Sequence, residues 1–300
     1  MIITIVSSLG CVNHSRQNIE APDFPPSPTP MKPVKVALVL SSGGFRGVAH
    51  IGVIEVLEEH NIPIDLIVGT SAGSFIGAFY ADEPNAKSLK TKLMQARYET
   101  LIDTSWMNAA RTPFCPTGPI RGWALQKFML TNMRSRNFED LKIPLIVVAT
   151  SIVNNQAVTL QTGPIIPAVH ASSALPPYFA PVHVYQDIFV DGGVIAPVPV
   201  QFARKYKPQL VIAVDISKRP SLTQATNAFQ IAVRALDISR DELARWQAAT
   251  ADIVIRPDII GYGSFEDEYN QEFYLAGRRA ALEQIDSIQK AFLNINRKAP

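Results

Sequence analysis

The chain has 300 residues, 47% of them hydrophobic, which is enough for one large domain or two small ones. Its 28 Lys and Arg nearly balance 26 Asp and Glu, and no strongly basic block occurs, so nucleic acid is excluded as a partner on charge grounds. Two cysteines, Cys11 and Cys115, exclude a disulfide scaffold and a zinc site, and no apolar run reaches the ~18 residues of a membrane-spanning helix.

The first 33 residues read as separate from the fold. "MIITIVSSLGC" is a short apolar run ending at Cys11, and "APDFPPSPTPMKP" carries six prolines that favour an extended tether. An apolar run, a small residue, a Cys and a tether resemble the end of a bacterial lipoprotein signal. The expectation is a lipid anchor at Cys11 and a place in the bacterial cell envelope. No Lys or Arg precedes the run, and the alternative is a leader with an incidental Cys on a cytoplasmic protein.

From Val34 onward, strand-like and helix-like segments alternate. "VKVALVL" predicts a strand, and "GVAHIGVIEVLEEHN" a helix with Val48, Ile51 and Ile54 on one side and an acidic, polar face on the other. "IDLIVG" predicts the next strand, followed by helices at "AGSFIGAFYA" and "NAKSLKTKLMQARYETL". "TSWMNAARTPFCPTGPIRGW", residues 104–123, reads as a lid or rim, or else as core through Trp106, Met107, Phe114 and Trp123. A helix follows at "IRGWALQKFML". Later strands are predicted at "IPLIVVATS", "QAVTLQT", "DIFVDG", "QLVIAVDI" and "ADIVIRP", with helices over 226–250 and from about Gln271. Strands this apolar are buried on both faces. That predicts an α/β fold of three layers, α/β/α, around a mostly parallel central sheet, with residues 34–300 as one domain.

In such a sheet, reacting groups collect on loops at the C-terminal ends of strands. Three loops carry suggestive chemistry. In "SSGGFRG", Gly43 and Gly44 leave N–H groups unshielded at a helix N-terminus, which suits an oxyanion hole, with Arg46 adding positive potential or tying the loop down. A phosphate- or nucleotide-binding module using residues 42–47 is the rival. Ser42 breaks its glycine pattern, while Asp65 loosely resembles a ribose-binding acid. In "DLIVGTSAGSFIGAFYA", Gly69 and Gly73 flank Ser71 by two residues on each side. That is the spacing a nucleophile elbow needs to clear its neighbouring strand and helix. In "DIFVDGGVIAPVPV", Asp191 ends a strand and Gly192-Gly193 turn beyond it.

A nucleophilic Ser71 needs a base. The histidines are His14, His50, His60, His170 and His183, and none follows Asp191, so a Ser–Asp–His order using that Asp cannot be built. A version with Asp103 or Asp140 and His170 or His183 stays open. The economical site has two residues, with Asp191 itself taking the Ser71 proton.

The trio of glycine loop with Arg, Gly-Thr-Ser-Ala-Gly and Asp-Gly-Gly, in that order, resembles the patatin-like phospholipases. The resemblance extends through "GVAHIGVIEVLEEHNIPIDLIVGTSAG", "ASSALPPYFAPV", "DGGVIAPVPV" and "ADIVIRPDIIGYGSF". It implies a serine hydrolase of lipid acyl esters that works through an acyl-enzyme, with Ser71 as nucleophile and Asp191 as base. It also implies an oxyanion region of Gly43, Gly44 and Arg46, supported by Gly47, Gly69, Gly73, Gly192 and Gly193. No metal or cofactor is implied. The partners it implies are a lipid or lysophospholipid ester and a membrane surface. Ser42 stands where relatives often have Gly, Ala196 where Asn often follows Asp-Gly-Gly, and "TSIVNN" lacks their Asp-Leu.

Overall fold

The computed structural model describes residues 33–103, 120–217, 226–259 and 267–297. Cys11 with its proline-rich tether, and residues 104–119 of the expected lid or rim, lie outside these described residues.

Apolar runs rich in β-branched residues form the strands β1 (Val36–Leu40), β2 (Leu66–Thr70), β3 (Leu145–Ser151), β4 (Gln156–Leu160), β5 (Val182–Val184), β6 (Asp187–Asp191), β7 (Leu210–Val214) and β8 (Ile253–Ile255). The helices between them are α1 (Val48–Glu59), α2 (Ala72–Asp82), α3 (Ala86–Leu93), α4 (Tyr98–Leu101), α5 (Trp123–Asn132), α6 (Ile165–Ser172), α7 (Val200–Arg204), α8 (Ala228–Ala248) and α9 (Asn270–Arg297). Parallel pairing joins β3, β2, β1, β7 and β8, and antiparallel pairing adds β4 and β6 to β3 and β5 to β6. Along β1, Val36, Leu38 and Leu40 enter one apolar layer, and Ala37 and Val39 enter the other. The first layer is closed by α1, α2, α6 and α9, the second by α7 and α8. This is the three-layer α/β/α fold expected, and each Val, Leu or Ile buried this way contributes about 1.5–3 kcal/mol.

Several expectations need correction. The single helix expected over residues 85–101 divides into α3 and the one-turn α4. Asn85 caps α3, its side chain accepting the Ser88 N–H at 2.7 Å, and Ala96 and Arg97 lie outside either helix. Trp123 is not core: it is 51% exposed at the start of α5. Helix α6 and strand β5 were not expected at all. The acidic, polar face predicted for α1 is present at its C-terminal end, where Glu58 and Glu59 are exposed and Glu55 is partly so. Every residue from Val48 to Ile54 is buried, between the sheet and the helices packed on α1. The acids also act as anchors. Glu55 accepts from Tyr274 and Arg278, Glu59 receives Arg278 at 2.8 and 2.9 Å, and Glu58 accepts the Ala86 N–H at 2.8 Å.

Helix α8 is inverted relative to an ordinary surface helix. Its inward side carries the buried Asp241 beside Ala244 and Ala248, while Phe229, Ile231, Ile238 and Trp246 are all at least half exposed. No helix among the described residues is long and apolar enough to cross a membrane.

α1 and α9 meet backbone to backbone. A Cβ on Gly52 would lie 2.2 Å from the Tyr274 carbonyl oxygen, and one on Gly277 would lie 2.0 Å from that of Ala49. Backbone atoms cannot step aside as a flexible side chain can. Gly277→Ala is therefore expected to lose roughly 1–3 kcal/mol of stability through overpacking, read as a shifted midpoint in urea unfolding.

Candidate active site

The site begins as a contest for one strand edge. β4 takes one edge of β3 over Val147–Ser151, so β2 and β6 must share the other. β2 runs parallel to β3 as far as Thr70 opposite Val148, and β6 arrives antiparallel and ends with Asp191 opposite Ala149. The two strands thus point their C-terminal ends at each other over adjacent positions of β3. β2 cannot continue, because Asp191 holds the next position. The chain turns away at Ser71.

That turn has φ 54° and ψ −120° at Ser71, outside the helical and extended regions, and leads straight into α2. Such a corner costs an L-residue on the order of 1–3 kcal/mol and persists only when its surroundings over-determine it. They do so here. A Cβ on Gly69 would sit 2.6 Å from the Gly73 and Ser74 backbone, and one on Gly73 would sit 2.1 Å from the Leu40 carbonyl oxygen. The spacing of the two glycines has the steric cause the sequence suggested. The Ser74 hydroxyl donates to the Ser71 carbonyl at 2.7 Å, and the Ser71 N–H donates to Ser172 Oγ at 2.8 Å.

Asp191 is 1% exposed. Its Oδ1 accepts the Gly193 N–H at 2.7 Å, and Thr150 Oγ1 donates to its carbonyl at 3.0 Å. Burial pushes the carboxyl above the usual carboxylate range, and Arg240, the Ser71 hydroxyl and the Gly193 N–H draw it part of the way back. Oδ2 is buried with no partner of ordinary hydrogen-bond geometry. Gly192 is required by backbone contact, since a Cβ there would meet the Val148 carbonyl oxygen at 2.1 Å, whereas a Cβ on Gly193 would meet only side-chain ends, Asp191 Oδ1 among them at 2.8 Å.

The glycine loop lies beside this pair. Gly43 and Gly44 precede the 3-10 turn Gly44–Gly47 or open it, where N–H groups have no intrahelical partner. Arg46 ties the loop down: its Nε donates to the Gly43 carbonyl at 3.1 Å. Burial, then Arg240, holds the Arg46 guanidinium down to about 10, against Asp237, Asp215 and Asp241, so it stays charged at neutral pH. Ser42 needs no glycine there, since its backbone is not left-handed, and its N–H reaches the Pro197 carbonyl at 2.9 Å. Gly47 lets the loop's helix approach Ala72, whose Cβ would stand 2.9 Å from an added Cβ.

A cavity of about 140 Å³ gathers these groups. Ser71, Asp191, Gly43, Gly44 and Arg46 line it, with walls of Val48, Phe75, Ile76, Leu101, Leu125, Leu175 and Phe179, and with Asp237, Arg240 and Asp241 from α8. None of the described histidines lines it. His50 binds the Ser41 carbonyl at 3.0 Å, and burial lowers it to about 4; His170, similarly lowered, meets Gln126 at 3.0 Å. Asp103 holds the Arg121 and Gly122 N–H groups and Asp140 that of Asn137, so the Ser–His–Asp alternative is not assembled. Asp65 binds the Lys35 and Val36 N–H groups at the start of β1, with roughly 13 Å of strand between it and the glycine loop. It cannot serve a ribose there.

The sequence profile of the patatin-like phospholipases matches residues 38–204. The chain belongs to that family. Patatin-like phospholipase domain-containing protein 6 of Homo sapiens is 33% identical over 199 residues, covering 64% of this chain and 14% of that protein. Lysophospholipase NTE1 of Debaryomyces hansenii is 32% identical over 181 residues, covering 60% and 12%. The chain therefore spans a small part of the length of these relatives. Among solved structures, VipD from Legionella pneumophila shares the fold with a TM-score of 0.52 at 14% identity, over 85% of this chain and 67% of that one. At Ala196, where the chain departs from the family pattern, the backbone carbonyl receives the Thr70 hydroxyl at 2.9 Å.

Sequence reasoning missed Arg240, Ser172 and Thr150. Arg240 donates to the Gly193 carbonyl at 3.1 Å from α8, far along the chain, and no local motif marks it.

The buried carboxyl has a consequence for stability. A group whose folded pKa is raised contributes fully below its unfolded value, near 3.8 here, and loses that contribution as pH rises through the folded value. Asp191→Asn is therefore expected to melt higher than wild type at pH 7, with the difference vanishing near pH 3, measured by thermal unfolding across pH.

Proposed function

We propose that this chain is a serine hydrolase of lipid acyl esters, of phospholipase A or lysophospholipase type. The observation that carries the reading is a hydroxyl on a strained corner beside a buried carboxyl, in a cavity with apolar walls. Ser71 Oγ attacks the ester carbonyl as Asp191 accepts its proton. The Gly43 and Gly44 N–H groups receive the oxyanion, an interaction whose single donors are typically worth on the order of a hundredfold in rate. Collapse expels the alcohol, which takes its proton from Asp191, and water repeats the sequence on the acyl-enzyme. A carboxylate of ordinary basicity is a poor partner for a hydroxyl, and desolvation improves it. The apolar walls suit an acyl chain, and the lysophospholipase name of one relative is in keeping with such a substrate.

The reading extends to a membrane surface. The exposed Ile231, Ile238 and Trp246 share α8 with the cavity-lining Asp237 and Arg240, so an interface that received them would bring lipid to the cavity. A lipid anchor at Cys11 would serve the same end.

Ser71→Ala and Asp191→Asn are expected to abolish ester hydrolysis with the fold retained, and a fluorophosphonate should label Ser71 in the wild type. Near-normal turnover in Asp191→Asn would reject the dyad. The kcat/KM of the wild type should fall as pH drops through a value above 3.8, because only ionised Asp191 acts as a base. Joint Ile238→Ser and Trp246→Ser changes should weaken turnover of phospholipid vesicles by roughly tenfold or more, as about 1.5–3 kcal/mol per buried side chain implies. Turnover of a soluble ester should be unaffected.

A further inference from the structure

The stretch that ends α6 touches both halves of the site without reaching the reacting atoms. Ser172 is wholly buried. Its Oγ accepts the Ser71 N–H at 2.8 Å and donates to the Val148 carbonyl at 2.6 Å. Two residues later, the Ala174 carbonyl accepts the Asp191 N–H at 2.9 Å. Val148 and Ala149 are the positions of β3 at which the ends of β2 and β6 meet. One short segment therefore holds the backbones of both Ser71 and Asp191 against the strand they share.

We infer that Ser172 is a positioning residue that fixes the Ser71 corner in its reactive geometry; this rests on the reading of Ser71 as nucleophile. Ser71 precedes the first residue of α2, so its N–H has no partner within that helix. A buried donor left unpaired is costly, and a corner with positive φ relaxes unless held. Among side chains that fill so little volume, a hydroxyl is the one that can accept and donate strongly at once. Here both capacities are in use. Donation to Val148 orients the oxygen so that a lone pair meets Ser71, and Ser71 is thereby referenced to the same strand as Asp191. With its own N–H turned to Ser172, Ser71 leaves oxyanion binding to the glycine loop. Alanine would keep the space and lose both bonds. Cysteine would nearly keep the volume and offer only weak ones.

The test uses Ser172→Ala and Ser172→Cys, assayed on a p-nitrophenyl acyl ester, with the rate of fluorophosphonate labelling measured in parallel. Both variants are expected to lose roughly 10- to 100-fold in kcat and in labelling rate, the scale of a small misplacement of a reacting group. KM should stay within about twofold, because the cavity walls are untouched. A purely structural role would lower the melting temperature and leave the kcat of the folded fraction intact. Hydrogen–deuterium exchange on the wild type adds a readout that needs no variant: the Ser71 amide should exchange slowly although it lies in a turn. A folded variant with wild-type kcat, or a Ser71 amide that exchanges as fast as exposed loops, would overturn the inference. If the wild type neither turned over ester nor took the label, the nucleophile reading itself would fall, and that result is separate because it involves no change at Ser172.

Discussion

Two strands compete for one edge of β3, and the site is what the collision leaves behind. Had β6 paired elsewhere, β2 could have run on, and Ser71 would be one more extended residue. Because Asp191 occupies the position opposite Ala149, the chain must leave the sheet at Ser71, and it can do so only by a positive-φ corner that Gly69 and Gly73 make room for. The juxtaposition of hydroxyl and carboxyl is therefore set by sheet register, which a one-residue slip would destroy. Side-chain flexibility has little to add, since Ser71, Ser172 and Asp191 are all buried.

The same placement sets the electrostatics. A carboxylate this deep is costly to ionise, and Arg240 offsets part of that cost from outside the sheet. Arg46 in turn feels Arg240 and the carboxylates of Asp237, Asp215 and Asp241, so groups of both signs gather around the polar end of the cavity. Its other walls are mostly hydrocarbon. That division, charged groups at one end and apolar side chains along the rest, matches an ester whose carbonyl reacts while its chain needs only to be kept from water.

Much of this was legible in the sequence because local rules governed it. The buried strands announced themselves as short β-branched runs, and the Gly-Thr-Ser-Ala-Gly and Asp-Gly-Gly turns carried their own steric logic. The misreadings arose where distant packing overrode local pattern. Glu55, Glu58 and Glu59 formed the acidic face expected of α1, but their partners on α9 and α3 lie too far along the chain to be named from local pattern. Helix α6 was hidden because it is short, β-branched and carries Pro167, tolerated only because it falls in the first turn. With α6 unseen, Ser172 had no address. Arg240 was invisible for a simpler reason: its contact with Gly193 closes a long loop of chain, and only the folded sheet brings the two together.

The glycine contact between α1 and α9 bears on how the protein comes to exist. α1 carries the glycine loop at its N-terminus and is buried over most of its length, yet the helix packed against it backbone to backbone is synthesised more than 200 residues later. At usual translation speeds that leaves α1 without its cover for roughly 10–40 s on the ribosome. A nascent chain would pass that interval with the buried side of α1 still open to water.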